Sequence, residues 1–165
     1  VSGGLSKVYS HLDACKLLHQ LNNSFMENPI FPCLWFNGQA KAAATFYCSV
    51  FKNSKIIADT PMVVTFELNG RKFMGLNGGP HFTFNEAVSF VVECSTQAEI
   101  DHYWNNLTEG GSESMCGWLK DKFGISWQII PTVLGDLMSD PVRAPRVVEA
   151  FMKMKKFDIE TLLKA

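Results

Sequence analysis

The stretch Met62-Val63-Val64-Thr65-Phe66-Glu67-Leu68-Asn69-Gly70-Arg71-Lys72-Phe73-Met74-Gly75-Leu76 sets two runs rich in β-branched and aromatic residues on either side of Asn69-Gly70. Asn-Gly is the pair that a two-residue type I′ turn demands, because both central residues take positive φ. The segment is therefore predicted as a β-hairpin of strands 62–68 and 71–76. Upstream, Lys55 to Asp59 reads as another strand. Before it, Ala40, Ala43, Ala44, Tyr47, Val50 and Phe51 recur at helical spacing between Gln39 and Phe51, and alanine is the least costly residue to place in a helix. The dense apolar run Ile30 to Phe36, closed by Asn37-Gly38, opens the series as a strand. The order is strand, helix, strand, strand, strand.

Downstream, Gly78-Gly79-Pro80 interrupts regular structure and begins a linker through Phe84. The same order then returns. Ala87 to Cys94 reads as a strand. Thr96 with Glu99 forms a capping box ahead of a helix whose apolar face is Ile100, Tyr103, Trp104 and Leu107, and Gly110-Gly111 ends it. Ser114 to Leu119 and Ile125 to Ile130 read as strands around the turn Asp121-Lys122-Phe123-Gly124, and the segment between Pro131 and Met138 is read as a last strand. Val147 to Met154 and Ile159 to Leu163 read as C-terminal helices, the second started by Asp158.

Neither half could bury its sheet face alone, so the expected fold class is α+β. Two βαβββ modules, 30–77 and 86–138, combine into a curved, mostly antiparallel open barrel with helices outside, followed by C-terminal helices over 143–165. A cavity at the junction of the modules is the default ligand site. Residues 26–165 are expected to form a single domain. Residues 1–25 read as an N-terminal extension: Leu12, Cys15, Leu18 and His19 share a helical face, but Val1-Ser2-Gly3-Gly4 and the Met26 just ahead of the first strand also fit sequence lying before the usual start.

With 47% hydrophobic and 19% charged residues in 165, and with 13 Phe and 4 Trp, the composition is that of a packed globular protein whose aromatic side chains must line something. A net charge of −1 with scattered lysines and arginines disfavours nucleic acid as a partner. No apolar run is long enough to span a bilayer, so no membrane association is expected. The five cysteines are odd in number, widely spaced and without a Cys-x-x-Cys pair, which points to reduced thiols and a cytoplasmic setting. The N-terminus lacks the pattern of a secretory signal.

Several stretches resemble the PhnB-like family of the vicinal-oxygen-chelate superfamily, the glyoxalase and bleomycin-resistance group, also labelled as a 3-demethylubiquinone-9 3-methyltransferase domain. They are Pro32-Cys33-Leu34-Trp35-Phe36, Phe46-Tyr47, the run from Phe73 to Phe82, and the run from Gly117 to Ile129. The resemblance implies the two-module glyoxalase/bleomycin-resistance/dihydroxybiphenyl-dioxygenase fold, a cavity in each chain and commonly a homodimer. It implies no particular reaction, because function lives in the site and not in the fold.

Metal-using members of the superfamily place a His or acidic ligand on each of four strands. The comparable positions here are Pro32 or Cys33, Leu76 or Asn77, Ala87 or Ser89, and Gln128. A neutral amide and a hydroxyl make a poor site for a hard cation, so no cofactor is expected. A thiolate of Cys33 with His81 is the remaining alternative for a divalent metal. The glycine-rich strand-to-helix turn that cradles S-adenosylmethionine is missing, since Gly78-Gly79-Pro80 leads into Phe82-Thr83-Phe84 and not into a helix. The expectation is a protein that binds a small hydrophobic or aromatic molecule in an inter-module cavity without metal, the candidates being Trp35, Phe73, Asn77, His81, Phe82, Ser89, Trp118, Trp127 and Gln128. The alternatives are a glyoxalase-like metal-dependent lyase or dioxygenase and a 3-demethylubiquinone-9 3-methyltransferase.

Overall fold

A computed structural model describes residues 30–165; the N-terminal extension lies outside the described residues. The chain divides into two compact units, 1–31 and 32–165, and the second is described below. It opens with β1 (Cys33–Phe36), α1 (Ala40–Val50), β2 (Lys55–Asp59), β3 (Val63–Leu68) and β4 (Arg71–Asn77). These strands form one sheet in the order β1-β4-β3-β2. The β3–β4 turn has φ of 48° at Asn69 and 76° at Gly70, the positive pair the sequence demanded. The module repeats as β5 (Ser89–Cys94), α2 (Gln97–Thr108), β6 (Ser112–Glu113), β7 (Trp118–Lys120) and β8 (Ser126–Pro131), in a second sheet ordered β5-β8-β7-β6. In each sheet the first strand pairs in parallel with the last and the other pairings are antiparallel. The sheets remain two and do not close into a barrel.

Side chains alternate along a strand, so each sheet has a helix-covered face and an opposite one. In the first sheet Leu34, Phe36, Val64, Phe66 and Phe73 are buried on the helix side against Ala40, Ala43, Ala44 and Tyr47 of α1. In the second, Cys94, Leu119, Trp127 and Ile129 are buried with Ile100, Trp104 and Leu107 of α2. The α2 capping box is present with both reciprocal bonds between Thr96 and Glu99. Rings tie the modules together: Phe73 meets Phe90 at 5.4 Å, and Trp127 meets Phe51 at 5.3 Å and Tyr47 at 5.5 Å. Full burial of one aromatic side chain contributes roughly 1.5–3 kcal/mol by removal from water, and Tyr47, Phe51, Phe73 and Trp127 are buried here.

The second module departs from expectation in two places. Of the strand expected over Ser114 to Leu119 only Trp118 and Leu119 are strand, in β7; residues 114–117 form a turn after β6 in which Cys116 and Gly117 take φ of 58° and 80°. Their amides donate to Met154 and Lys155 carbonyls of the C-terminal segment, which therefore replaces a sheet neighbour. The segment expected as a last strand after Pro131 is instead α3 (Val133–Ser139). Val133, Leu134 and Leu137 share one helical face there, and Leu137 is buried. The fourth strand of the module is the short β6 ahead of β7. Two further helices, α4 (Ala144–Phe151) and α5 (Ile159–Lys164), follow, and Asp158 caps α5 by accepting from the Thr161 amide. Among the described residues no helix is long and apolar enough to cross a membrane.

Candidate functional site

β5 is an edge strand, and the tip of the β3–β4 hairpin approaches it from the other module. Between them lies a cleft of about 600 Å³, within the range of ordinary small-molecule sites. Its walls carry five aromatic residues, Phe51, Phe73, Phe90, Tyr103 and Trp127, while Arg71, Asn69, Ser89 and Glu93 supply polar groups. Such a lining takes an apolar or aromatic body by stacking and orients it with a few polar contacts. Burial holds the Tyr103 phenol above its ordinary pKa, so it stays a neutral donor. Burial likewise pushes the Cys94 thiol up to about 11, far from a reactive thiolate.

Beneath the aromatic set lies a buried carboxylate. Asp121 is 3% exposed, and its Oδ2 accepts from the Tyr47 hydroxyl at 2.7 Å and from the Trp127 indole N–H at 2.8 Å. Its Oδ1 accepts from the backbone amides of Phe123 and Ile125. Four donors on one carboxylate satisfy a group that would otherwise be costly inside a core. Burial still raises its pKa above the ordinary aspartate range, with the four hydrogen bonds pulling the other way. The cluster joins α1 of the first module to β8 of the second, and it orients Trp127 at the cleft. Sequence reading treated Asp121 only as a turn residue. The available signal was an acid placed between the apolar Leu119 and Ile125, where a carboxylate needs partners.

The sequence candidates are distributed over several places. Phe73, Ser89 and Trp127 line the inter-module cleft. Gln128 joins them indirectly, its amide donating to Ser89 Oγ at 2.8 Å. Trp118 stands opposite Gln128 in the β7–β8 register and lines a different hollow. Trp35 donates its indole N–H to the Gly79 carbonyl at 2.8 Å and meets Phe82 edge-on at 4.9 Å, so both belong to the packing of the linker. A Cβ at Gly78 would lie 2.2 Å from the Trp35 ring, which is why glycine stands there. Asn77 accepts from the Ala40 amide at the start of α1 and donates to the Pro61 carbonyl, which commits it to the fold. His81 is exposed in the turn after β4. Phe51, Arg71 and Tyr103 are cleft residues that sequence reading did not select, since a helix end, a strand start and a helix face converge only in three dimensions.

The four positions comparable to metal ligands do not fit a metal. Cys33 is an exposed thiol, Asn77 is used as a cap, and Ser89 and Gln128 satisfy each other as a neutral pair. Among the described residues no three His, Cys, Asp or Glu side chains gather, and Cys33 with His81 would supply two donors only.

Paired four-stranded sheets with this order are the fold of the vicinal-oxygen-chelate superfamily. The chain superposes on the manganese- and sulfate-bound fosfomycin resistance protein FosX from Listeria monocytogenes with a TM-score of 0.51 at 11% identity, covering 69% of this chain and 97% of that one. At that identity the likeness concerns the fold alone. It also superposes on protein PA1353 from Pseudomonas aeruginosa (TM-score 0.52, 22% identity, 62% of this chain and 96% of that one). The PhnB protein from Bacillus cereus matches at 33% identity with a TM-score of 0.59, over 64% of this chain and all of that one. The model of the 3-demethylubiquinone-9 3-methyltransferase family matches residues 28–130, and the chain belongs to that PhnB-like family. No curated protein matches the sequence.

Proposed function

We propose that this PhnB-like protein binds a small aromatic or otherwise apolar molecule in the cleft between its modules, without a metal. The observation that carries the reading is the cleft of about 600 Å³ with five aromatic walls and a neutral Ser89–Gln128 pair beside it. Arg71 at the hairpin end favours a ligand that carries one anionic group on its apolar body. The half-buried apolar residues on the open face of the first sheet, among them Trp35, Met74 and Leu76, support a homodimer in which a second copy covers them. The free cysteines support a reducing, cytoplasmic setting.

Titration with one- and two-ring aromatic carboxylates, followed by Trp fluorescence, tests the ligand class. Saturable binding is expected, weakened at least tenfold in Phe90→Ala. Stoichiometric binding of zinc, nickel or iron that Cys33→Ala and His81→Ala abolish would replace this reading with a metal-dependent lyase or dioxygenase. The family description favours methyl transfer, and binding heat with S-adenosylmethionine followed by methylation of a phenol would establish that reading instead. Mass measurement in solution tests the dimer, a monomer at tens of micromolar counting against it.

A further inference from the structure

A second hollow, of about 410 Å³, lies on the second sheet alone and is lined by Glu86, Ser112, Glu113, Ser114, Trp118, Leu119, Lys120 and Ser126. Ser126 is 2% exposed, and its hydroxyl is the one buried side-chain polar atom among the described residues without a hydrogen-bond partner. A buried hydroxyl left without a partner weakens the fold, and a bound group that satisfied it would remove that cost. The register explains its setting. Ser126 is paired with Ser89 on one side and Lys120 on the other, and the Lys120 ammonium reaches Glu86, in the segment leading into β5. The ion pair therefore runs across β8 above Ser126. Both partners are exposed, at 36% and 64%, so the pair holds weakly and can swing aside.

The charge balance selects the ligand. Glu86 is matched by Lys120, and Glu113 accepts from the Trp104 indole and from Lys155. A charged ligand would find no unmatched group to pair with, whereas a neutral one needs only the exposed Lys120–Glu86 pair to move aside and leaves Glu113 with its partners. Three serine hydroxyls and two carboxylates offer donors and acceptors around the half-buried Trp118 indole. We infer that this hollow binds a neutral polyhydroxylated molecule, a single sugar-like ring with its C–H face on Trp118 and a hydroxyl bonded to Ser126. The inference goes beyond the proposed function, because this hollow shares no residue with the aromatic cleft.

The test is titration of the full-length protein with methyl β-D-glucopyranoside, galactose and myo-inositol, and with benzoate, followed by two-dimensional amide and indole NMR. A saturable shift of the Trp118 indole and Ser126 amide with at least one polyol is expected; Trp118→Ala should abolish the shift at Ser126, and Ser126→Ala should weaken binding read at the Trp118 indole at least fivefold. Ser126→Ala should leave the unliganded spectrum folded and the melting temperature unchanged or higher, since the orphan hydroxyl is gone. No saturable shift with any polyol would overturn the inference, as would shifts at these residues with benzoate alone or a Ser126→Ala variant that binds as tightly as wild type. Ligands of the aromatic cleft shift Phe90 and Val91 instead, so failure of either reading is seen separately.

Discussion

Replacing Tyr47 by Phe removes a single atom from the core, and its cost can be worked from the structure. The Tyr47 hydroxyl is fully buried and donates at 2.7 Å to Asp121 Oδ2, an oxygen whose other partner among the described residues is the Trp127 indole at 2.8 Å. A hydrogen bond to a charged group contributes about 1.5–3 kcal/mol, and its loss leaves a buried carboxylate short of a donor. For a chain of this length each kcal/mol moves the melting temperature by about 2–4 °C, so Tyr47→Phe should melt roughly 3–12 °C lower. Urea unfolding followed by Trp fluorescence should show a lower midpoint with an unchanged slope. Because Tyr47 and Trp127 share one oxygen, Tyr47→Phe and Trp127→Phe should be non-additive by at least about 0.5 kcal/mol. The Phe123 and Ile125 amides, which bond the other oxygen, should exchange with solvent faster in the variant. A loss below about 0.5 kcal/mol, the range of neutral surface changes, would refute the claim that this carboxylate joins the two modules.

Gly117 has φ of 80°, and a Cβ there would lie 2.5 Å from the Phe157 ring and 2.6 Å from the Ile129 carbonyl. Gly117→Ala should therefore cost about 3 kcal/mol or more and free the C-terminal segment, which limited proteolysis after Met154 would reveal. The raised pKa of Asp121 sets a sign for pH dependence. A carboxyl whose folded pKa lies above its unfolded value contributes stability that is fully present below the unfolded pKa and is lost as pH rises through the folded one. The unfolding free energy of wild type minus that of Asp121→Asn should thus fall as pH rises above the ordinary aspartate value, and a rising difference would contradict the assignment of burial as the dominant influence. Thr96→Ala removes the hydroxyl that accepts from the Glu99 amide, leaves the Glu99 carboxylate on the backbone amide of residue 96, and should cost about 1 kcal/mol in the same urea assay.

Much of the architecture was legible in the sequence because it rests on local physics. Asn69-Gly70 requires positive φ, Thr96 and Glu99 satisfy each other's backbone amides, Asp158 caps a helix start, and the alanines of α1 lie at helical spacing. These signals act within a few residues, and the repeated order followed from them. The breaks came where distant chain decided. The turn at Cys116-Gly117 exists because Met154 and Lys155 accept its amides, and α3 forms where an apolar face at helical spacing meets the C-terminal helices. Site residues divided in the same way. That aromatic side chains would line a space was readable from composition, but which ones do so depends on the two modules meeting. Phe73 and Trp127 reach the cleft beside Phe51 and Tyr103, whereas Trp35 and Phe82 close on the linker and Asn77 caps α1. Strand alternation assigns a side chain to one of two faces, and only tertiary packing decides what that face meets. By itself the sequence determined two βαβββ modules and a poor set of metal donors. The tertiary structure alone decided the aromatic cleft, the Asp121 junction and the unpartnered Ser126 hydroxyl, because each is set by residues far apart in the chain.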